Sequence, residues 1–192
     1  MMDLPLGPEE VSLTFNRNVR RSRSPFTGRS QTQKPLNEWW EGELRIAPLQ
    51  DAEAAQWRAF VIRVGITEAF RLGPYRENRG SLSGTPEVSG ANQKGRKLLT
   101  SGWNSSAEGV LLPGDHIEVD EYLYMVTAVA DADSSGVAEI RLWPRLRTRP
   151  QGGAPITVDN PRGRFRLAER ENPWEIRPGR FTDIRLSIRE AL

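Results

Sequence analysis

Residues 110–126, VLLPGDHIEVDEYLYMV, hold the only histidine of the chain, set among four acids. His116 with Asp115, Glu118, Asp120 and Glu121 is the one place where residue types invite general acid–base chemistry or a metal ion. The remaining options are few. The chain has no cysteine, which removes thiolate nucleophiles, disulfides and cysteine-based metal sites. A zinc site or a Ser-His-Asp triad, and with it a hydrolase, would depend wholly on His116.

The elements that must position these side chains give them another meaning. Leu112-Pro113-Gly114-Asp115 places Pro and Gly at the centre of a type II turn, whose second central residue needs positive φ. The strand that leaves the turn alternates, with Ile117 and Val119 on one side and His116 and Glu118 on the other. A tight turn at Asp120-Glu121 returns the chain into the strand Tyr122–Val129. On this reading the carboxylates lie mostly on a solvent face or in turns. A catalytic carboxylate needs burial or a like-charged neighbour to shift its pKa, and nothing in the pattern demands either. No catalytic residue, metal or cofactor is expected.

The chain has 192 residues, 37% hydrophobic and 27% charged, values ordinary for a globular domain with a real core. No apolar run is long enough to cross a bilayer. The acidic, proline-containing start MMDLPLGPEE lacks the basic and apolar regions of a secretory signal, so a cytoplasmic chain without membrane insertion is expected. Of the 27 basic residues only 34, 94 and 97 are lysine, which leaves 24 arginines. Arginine suits bidentate pairing and interface burial, although a GC-rich genome would give the same bias.

Along the chain, 9–16 alternates as a half-buried strand. Residues 17–34, RNVRRSRSPFTGRSQTQK, carry six basic and no acidic residues and read as an extended arm or long loop, bounded here as 17–35. Residues 37–47 read as a strand with Trp40, Gly42, Leu44 and Ile46 on one face, stopped by Pro48. Asp51 is placed to cap a helix over 52–64, with Trp57, Phe60, Val61 and Val64 as its apolar stripe and Gly65 beyond its end. Strand character returns over 66–72. Residues 73–109 read as a long Gly-rich loop with a short strand at about 86–90. Strands are then predicted near 110–112, 115–119, 121–130, 136–143, 155–158, 163–169 and 180–189. Many short strands between closely spaced turns indicate a mainly β sandwich or barrel, with one helix, in a single domain over 1–192.

Three features invite a binding chemistry. The arm could track a phosphate backbone, but only Phe26 is available there to stack on a base. The Gly-rich stretch lacks the order of a phosphate loop. Six tryptophans could suggest a carbohydrate platform; Trp57 and Trp143 read as core, Trp39 and Trp40 point to opposite faces, and Trp39, Trp103 and Trp174 remain candidates.

The order of the blocks SPFTGRSQTQ, WWEGELRIAPLQDAEAAQWRAF, FRLG, VSGANQKGRKLLTSGW and VLLPGDHIEVDEYLYMVTAVADADSSGVAEIRLWPRLR resembles the distal tail proteins of long-tailed bacteriophages, over roughly residues 24–170. The resemblance implies a β-sandwich or split barrel of the tail-tube type with one flanking helix. It implies a virion protein without catalytic residues, assembled in the host cytoplasm as a hexameric ring. Such a ring joins the tail tube above to hub and tail-tip proteins below, with DNA only as passing cargo. In that setting the arm and the Gly-rich loop are expected to make inter-subunit contacts through Arg20, Arg21, Arg23, Phe26, Arg29, Lys94, Arg96, Lys97 and Trp103. The alternative is a carbohydrate-binding module of a phage tail used for host-surface adhesion.

Overall fold

Both turns of the opening stretch form as their residue types require. In the computed structural model, Gly114 has φ 91°, and the Asp115 N–H donates to the Leu112 carbonyl at 3.0 Å. Asp120 and Glu121 both have positive φ, 49° and 68°, the geometry of a two-residue hairpin whose twist matches its strands. The structure describes residues 2–17, 20–23, 25–26, 28, 30–33, 37–74, 78–169, 174–177 and 181–192. The side chains at 20–22, 31–33, 47–48, 174–177 and 181–183 lie outside the description.

The strands are β1 (Glu10–Arg17), β2 (Arg20–Arg23), β3 (Ser30–Gln33), β4 (Glu38–Leu49), β5 (Phe70–Leu72), β6 (Gly84–Val88) and β7 (Lys97–Trp103). After them come β8 (His116–Val119), β9 (Tyr122–Val126), β10 (Ala138–Trp143), β11 (Gly163–Leu167), β12 (Trp174–Arg177) and β13 (Phe181–Glu190). Among the described residues there is one helix, α1 (Asp51–Val64), between β4 and β5. Two antiparallel sheets carry the fold. The first runs β1-β4-β13-β11-β5, with β12 added on β13; the second runs β6-β7-β10-β9-β8. The chain is thus mainly β, a sandwich of split-barrel form with one flanking helix, as its sequence indicates.

Each sheet has its own core. The first holds Trp40, Leu44 and Ile46 of β4, Phe70, Phe165 and Ile184–Ile188 positions of its partners, and the stripe Ala54, Trp57, Phe60, Val61 and Val64 of α1. The second holds Leu98, Ile117, Val119, Tyr124, Val126, Ile140 and Leu142. Leu123 and Trp143 cross the seam: they belong to the second sheet but pack into the first core. Alternation on β9 therefore serves both cores, with Leu123 on one and Tyr124 on the other.

Several boundaries differ from expectation, each for a physical reason. Pro48 does not stop β4. The register against β13 shifts between Thr182 and Ile184, and a bulge absorbs a residue with no N–H to donate. Gly42 sits where β1 crosses closely: a Cβ there would stand 2.0 Å from the Ser12 carbonyl oxygen. Gln50, not Asp51, is the N-cap of α1, and its N–H donates to the Glu53 carboxylate at 3.2 Å. Gly65 closes the helix with an N–H bond to Val61 at 3.0 Å. Residues 65–69 are turn rather than strand.

The two proposed long loops are corrected as well. Arg20–Arg23 and Ser30–Gln33 form a hairpin, β2 on β3, which among the described residues pairs with neither main sheet. Residues 73–109 contain β6 and β7, which together form one side of the second sheet. Segments 110–112 and 155–158 make isolated bridges only.

Candidate functional site

The acids around His116 are fasteners of the fold. Asp115, 2% exposed, accepts backbone N–H bonds from Arg79 at 2.8 Å, Gly80 at 2.9 Å and Leu112 at 2.8 Å. Glu118, 7% exposed, accepts the Arg162 N–H at 3.0 Å and the Arg71 guanidinium. Glu118, expected on the solvent face, is buried instead, and Asp115 lies in its turn as expected but with its side chain buried. The alternation itself is right, but the side opposite Ile117 and Val119 is the seam toward the first sheet. There the His116 ring lies 6.0 Å from Trp40. The His116 backbone is clamped by Asn78, which accepts its N–H at 2.8 Å and donates to its carbonyl at 2.7 Å. Asp120 and Glu121 are exposed at the turn, as expected. Among the described residues, no group of three or more His, Asp or Glu side chains is placed to hold a metal ion.

The seam instead forms a groove of about 500 Å³ lined by Phe15, Arg17, Arg96, Lys97, Met125, Thr127, Arg141, Leu142 and Trp143. Its floor is an aromatic ladder. The Phe15 ring meets Trp143 edge-on at 5.7 Å, and Trp143 meets Trp40 at 4.4 Å and 90°. Trp40 is anchored by its indole N–H, which donates to the Leu123 carbonyl at 3.0 Å. Phe15 stays 67% exposed, a large apolar side chain presented to the groove.

The rim is cationic. The Arg17 guanidinium lies 3.1 Å from the Glu38 carboxylate, and Arg96 reaches the same oxygen. Lys97 lies 2.8 Å and Arg141 3.9 Å from the Glu139 carboxylate. The Lys97 hydrogen bond, more than the neighbouring positive charges, holds the Glu139 carboxyl below the usual carboxylate range. Lys97 and Arg141 are direct cross-strand partners, and like charges so placed repel. Four cations thus share two carboxylates around an apolar floor, an arrangement suited to receiving anionic groups.

Behind the groove a buried network fixes the sheets to one another. Arg147 grips Glu190 in a bidentate pair, Nε to Oε1 at 2.8 Å and Nη2 to Oε2 at 2.6 Å. The same guanidinium donates to the Glu38 carbonyl, and Glu190 also accepts the Trp40 N–H at 3.0 Å. The Arg147 N–H donates to the Tyr124 hydroxyl oxygen at 3.0 Å. Burial pushes the Tyr124 phenol well above its ordinary value near 10, against the lowering effect of Arg147. A raised folded-state value means that Tyr124 contributes stability fully below pH about 10, and that this is lost as pH rises toward the folded value. Tyr124→Phe is expected to cost about 1 kcal/mol at neutral pH, through the orphaned Arg147 N–H. It should also flatten the alkaline decline in urea-unfolding free energy. An unchanged alkaline slope would refute the assignment.

Of the residues expected at an interface, Arg96 and Lys97 lie on the groove rim. Arg23 and Phe26 are exposed on the β2–β3 hairpin, where Arg23 Nε donates to the Gly28 carbonyl at 3.3 Å. Lys94 is exposed. Trp103 is buried in the second core, its indole N–H bonded to Thr100 Oγ1 at 2.8 Å. It is neither an interface residue nor a sugar platform, because β7 turns it inward. The side chains of Arg20, Arg21 and Trp174, and Arg29 entirely, lie outside the described residues. Trp39 is half-buried beneath the Arg189 guanidinium at 5.3 Å, while Trp40 is buried, so the pair splits across two faces as expected. The rim residue Arg141 was readable as outward-facing from the alternation of Ala138, Ile140 and Leu142. Its meeting with Lys97 was not. No family model matches the chain, and no curated protein sequence matches it.

Proposed function

We propose that the chain is a structural virion protein, the ring subunit of a distal tail assembly in a long-tailed phage. The observation that carries this reading is the β2–β3 hairpin. It is inserted between two adjacent strands of the first sheet, pairs with neither sheet among the described residues, and presents Phe26 at its turn with 96% exposure. An isolated two-stranded hairpin is marginal on its own, and a large exposed ring beside basic residues is suited to a neighbouring protein surface. The mainly β two-sheet fold with one helix supports the same reading. In it the hairpin makes head-to-tail contacts that close by rotation into a hexamer, between the tail tube and the hub, with DNA passing through the centre. The reading as a carbohydrate-adhesion module loses Trp103 to the core.

Light scattering of the purified chain, followed by negative-stain imaging, tests the reading. The expected result is a hexamer of the 21.7 kDa chain with a central hole, and a lower assembled fraction for Phe26→Asp. A monomer at every concentration would sink the ring. A monomer that binds a defined glycan would move the function to adhesion.

A further inference from the structure

We propose that the groove between the sheets is a receptor site for an acidic segment of a different protein, one carrying a single bulky apolar side chain between carboxylates. The apolar floor and the charged rim point to that occupant together. Phe15 and Trp143 offer an aromatic wall with Phe15 largely exposed, and about 500 Å³ holds an anchor side chain with its flanks. Around it stand Arg17, Arg96, Lys97 and Arg141. Each guanidinium has five donors, and the shared carboxylates Glu38 and Glu139 engage only part of that capacity.

The fold also tolerates an unfavourable arrangement here. Lys97 and Arg141 face each other across β7 and β10, an opposition that repels unless an anion lies between them. Glu139 reaches Lys97 closely but Arg141 only at 3.9 Å, so an incoming carboxylate would complete the set. Charge excludes the chain's own hairpin as occupant, because its arm has six basic and no acidic residues. A nucleic-acid strand fits less well than a peptide. Stacking of successive bases needs a row of exposed aromatic faces, whereas this groove exposes only Phe15, with Trp143 buried beside it.

The choice of a protein partner rests on the assembly reading above; the groove's chemistry does not. The test uses the full chain and a fluorescent peptide with two glutamates on either side of one phenylalanine, read by anisotropy at low salt. Binding that weakens as added salt screens the rim is expected. Phe15→Ala and the double variant Lys97→Glu/Arg141→Glu should each lower affinity by about tenfold or more, the scale of an interface anchor. Lys97 and Arg141 are chosen because they pair with exposed Glu139, whereas Arg17 and Arg96 cover buried Glu38. Circular dichroism confirms that the variants fold.

No binding at millimolar peptide would overturn the proposal. So would equal affinity in the variants, or equally tight binding of an oligothymidylate. Particle mass on the same samples separates the two readings. A hexamer that persists in the double variant while the peptide is lost assigns the groove to an outside partner. Peptide binding by a chain that stays monomeric keeps the groove site and removes the ring. If the peptide is lost only together with the hexamer, the occupant is another copy of this chain, which overturns the proposal.

Discussion

Replacing Arg147 by Ala is expected to lower the unfolding free energy by about 3–5 kcal/mol, the cost of leaving one member of a buried ion pair without its partner. The Arg147 side chain is 10% and that of Glu190 2% exposed, so water cannot take over the lost contacts. Glu190 would retain only the Trp40 N–H among the bonds described above, and the Glu38 carbonyl would lose its donor. Such a loss is a large part of the stability of an ordinary domain. The double variant Arg147→Met/Glu190→Leu should recover much of it, because an apolar pair of similar volume removes both desolvation costs. Urea unfolding of wild type, both singles and the double gives the coupling energy directly. A loss below about 1 kcal/mol in Arg147→Ala would place the pair with weak surface bridges and refute its role as the clamp between the sheets.

That clamp also shows what local pattern can and cannot disclose. The helix was readable because Trp57, Phe60, Val61 and Val64 repeat with helical period and Gly65 follows. The β8–β9 hairpin was readable because Pro113-Gly114 and the alternation of Ile117 and Val119 are local signals. The β2–β3 hairpin was hidden by its polar composition, which resembles that of a loop. β7 was hidden because Thr100, Ser101 and Gly102 interrupt its apolar residues before Trp103, and its pairing with β10 is a long-range event. The groove is assembled from positions 15, 17, 96, 97, 125, 127 and 141–143, which no window of sequence places together. Glu118 was misread for a related reason. Period-two alternation identifies two sides of a strand, but only the tertiary fold decides whether the second side meets water or another sheet.

Asp115→Ala is the change for which that distinction has the largest consequence in the opening stretch, with an expected loss of about 3 kcal/mol or more. The carboxylate, itself buried, satisfies three part-buried backbone donors, on Arg79, Gly80 and Leu112, and each N–H that water cannot reach once it is gone costs about 1–3 kcal/mol. The bonds also have an architectural effect. They fasten residues 79–80 to the turn before β8, beside Asn78, which bonds both the His116 backbone and the Val158 carbonyl. Asp115→Asn keeps the size but offers one accepting oxygen and turns an NH₂ toward other N–H donors, so its loss should be intermediate. Hydrogen exchange makes the test specific. The amides of Arg79, Gly80 and Leu112 should lose protection in Asp115→Ala beyond the global change, while those of β13 should follow global stability alone. Unaltered local protection at Gly80 would mean that the carboxylate does not hold the segment. An acid serving catalysis would lose function on conversion to Asn with little loss of stability. Here the reverse ordering is expected, because both Asp115 oxygens are already occupied by the protein's own backbone.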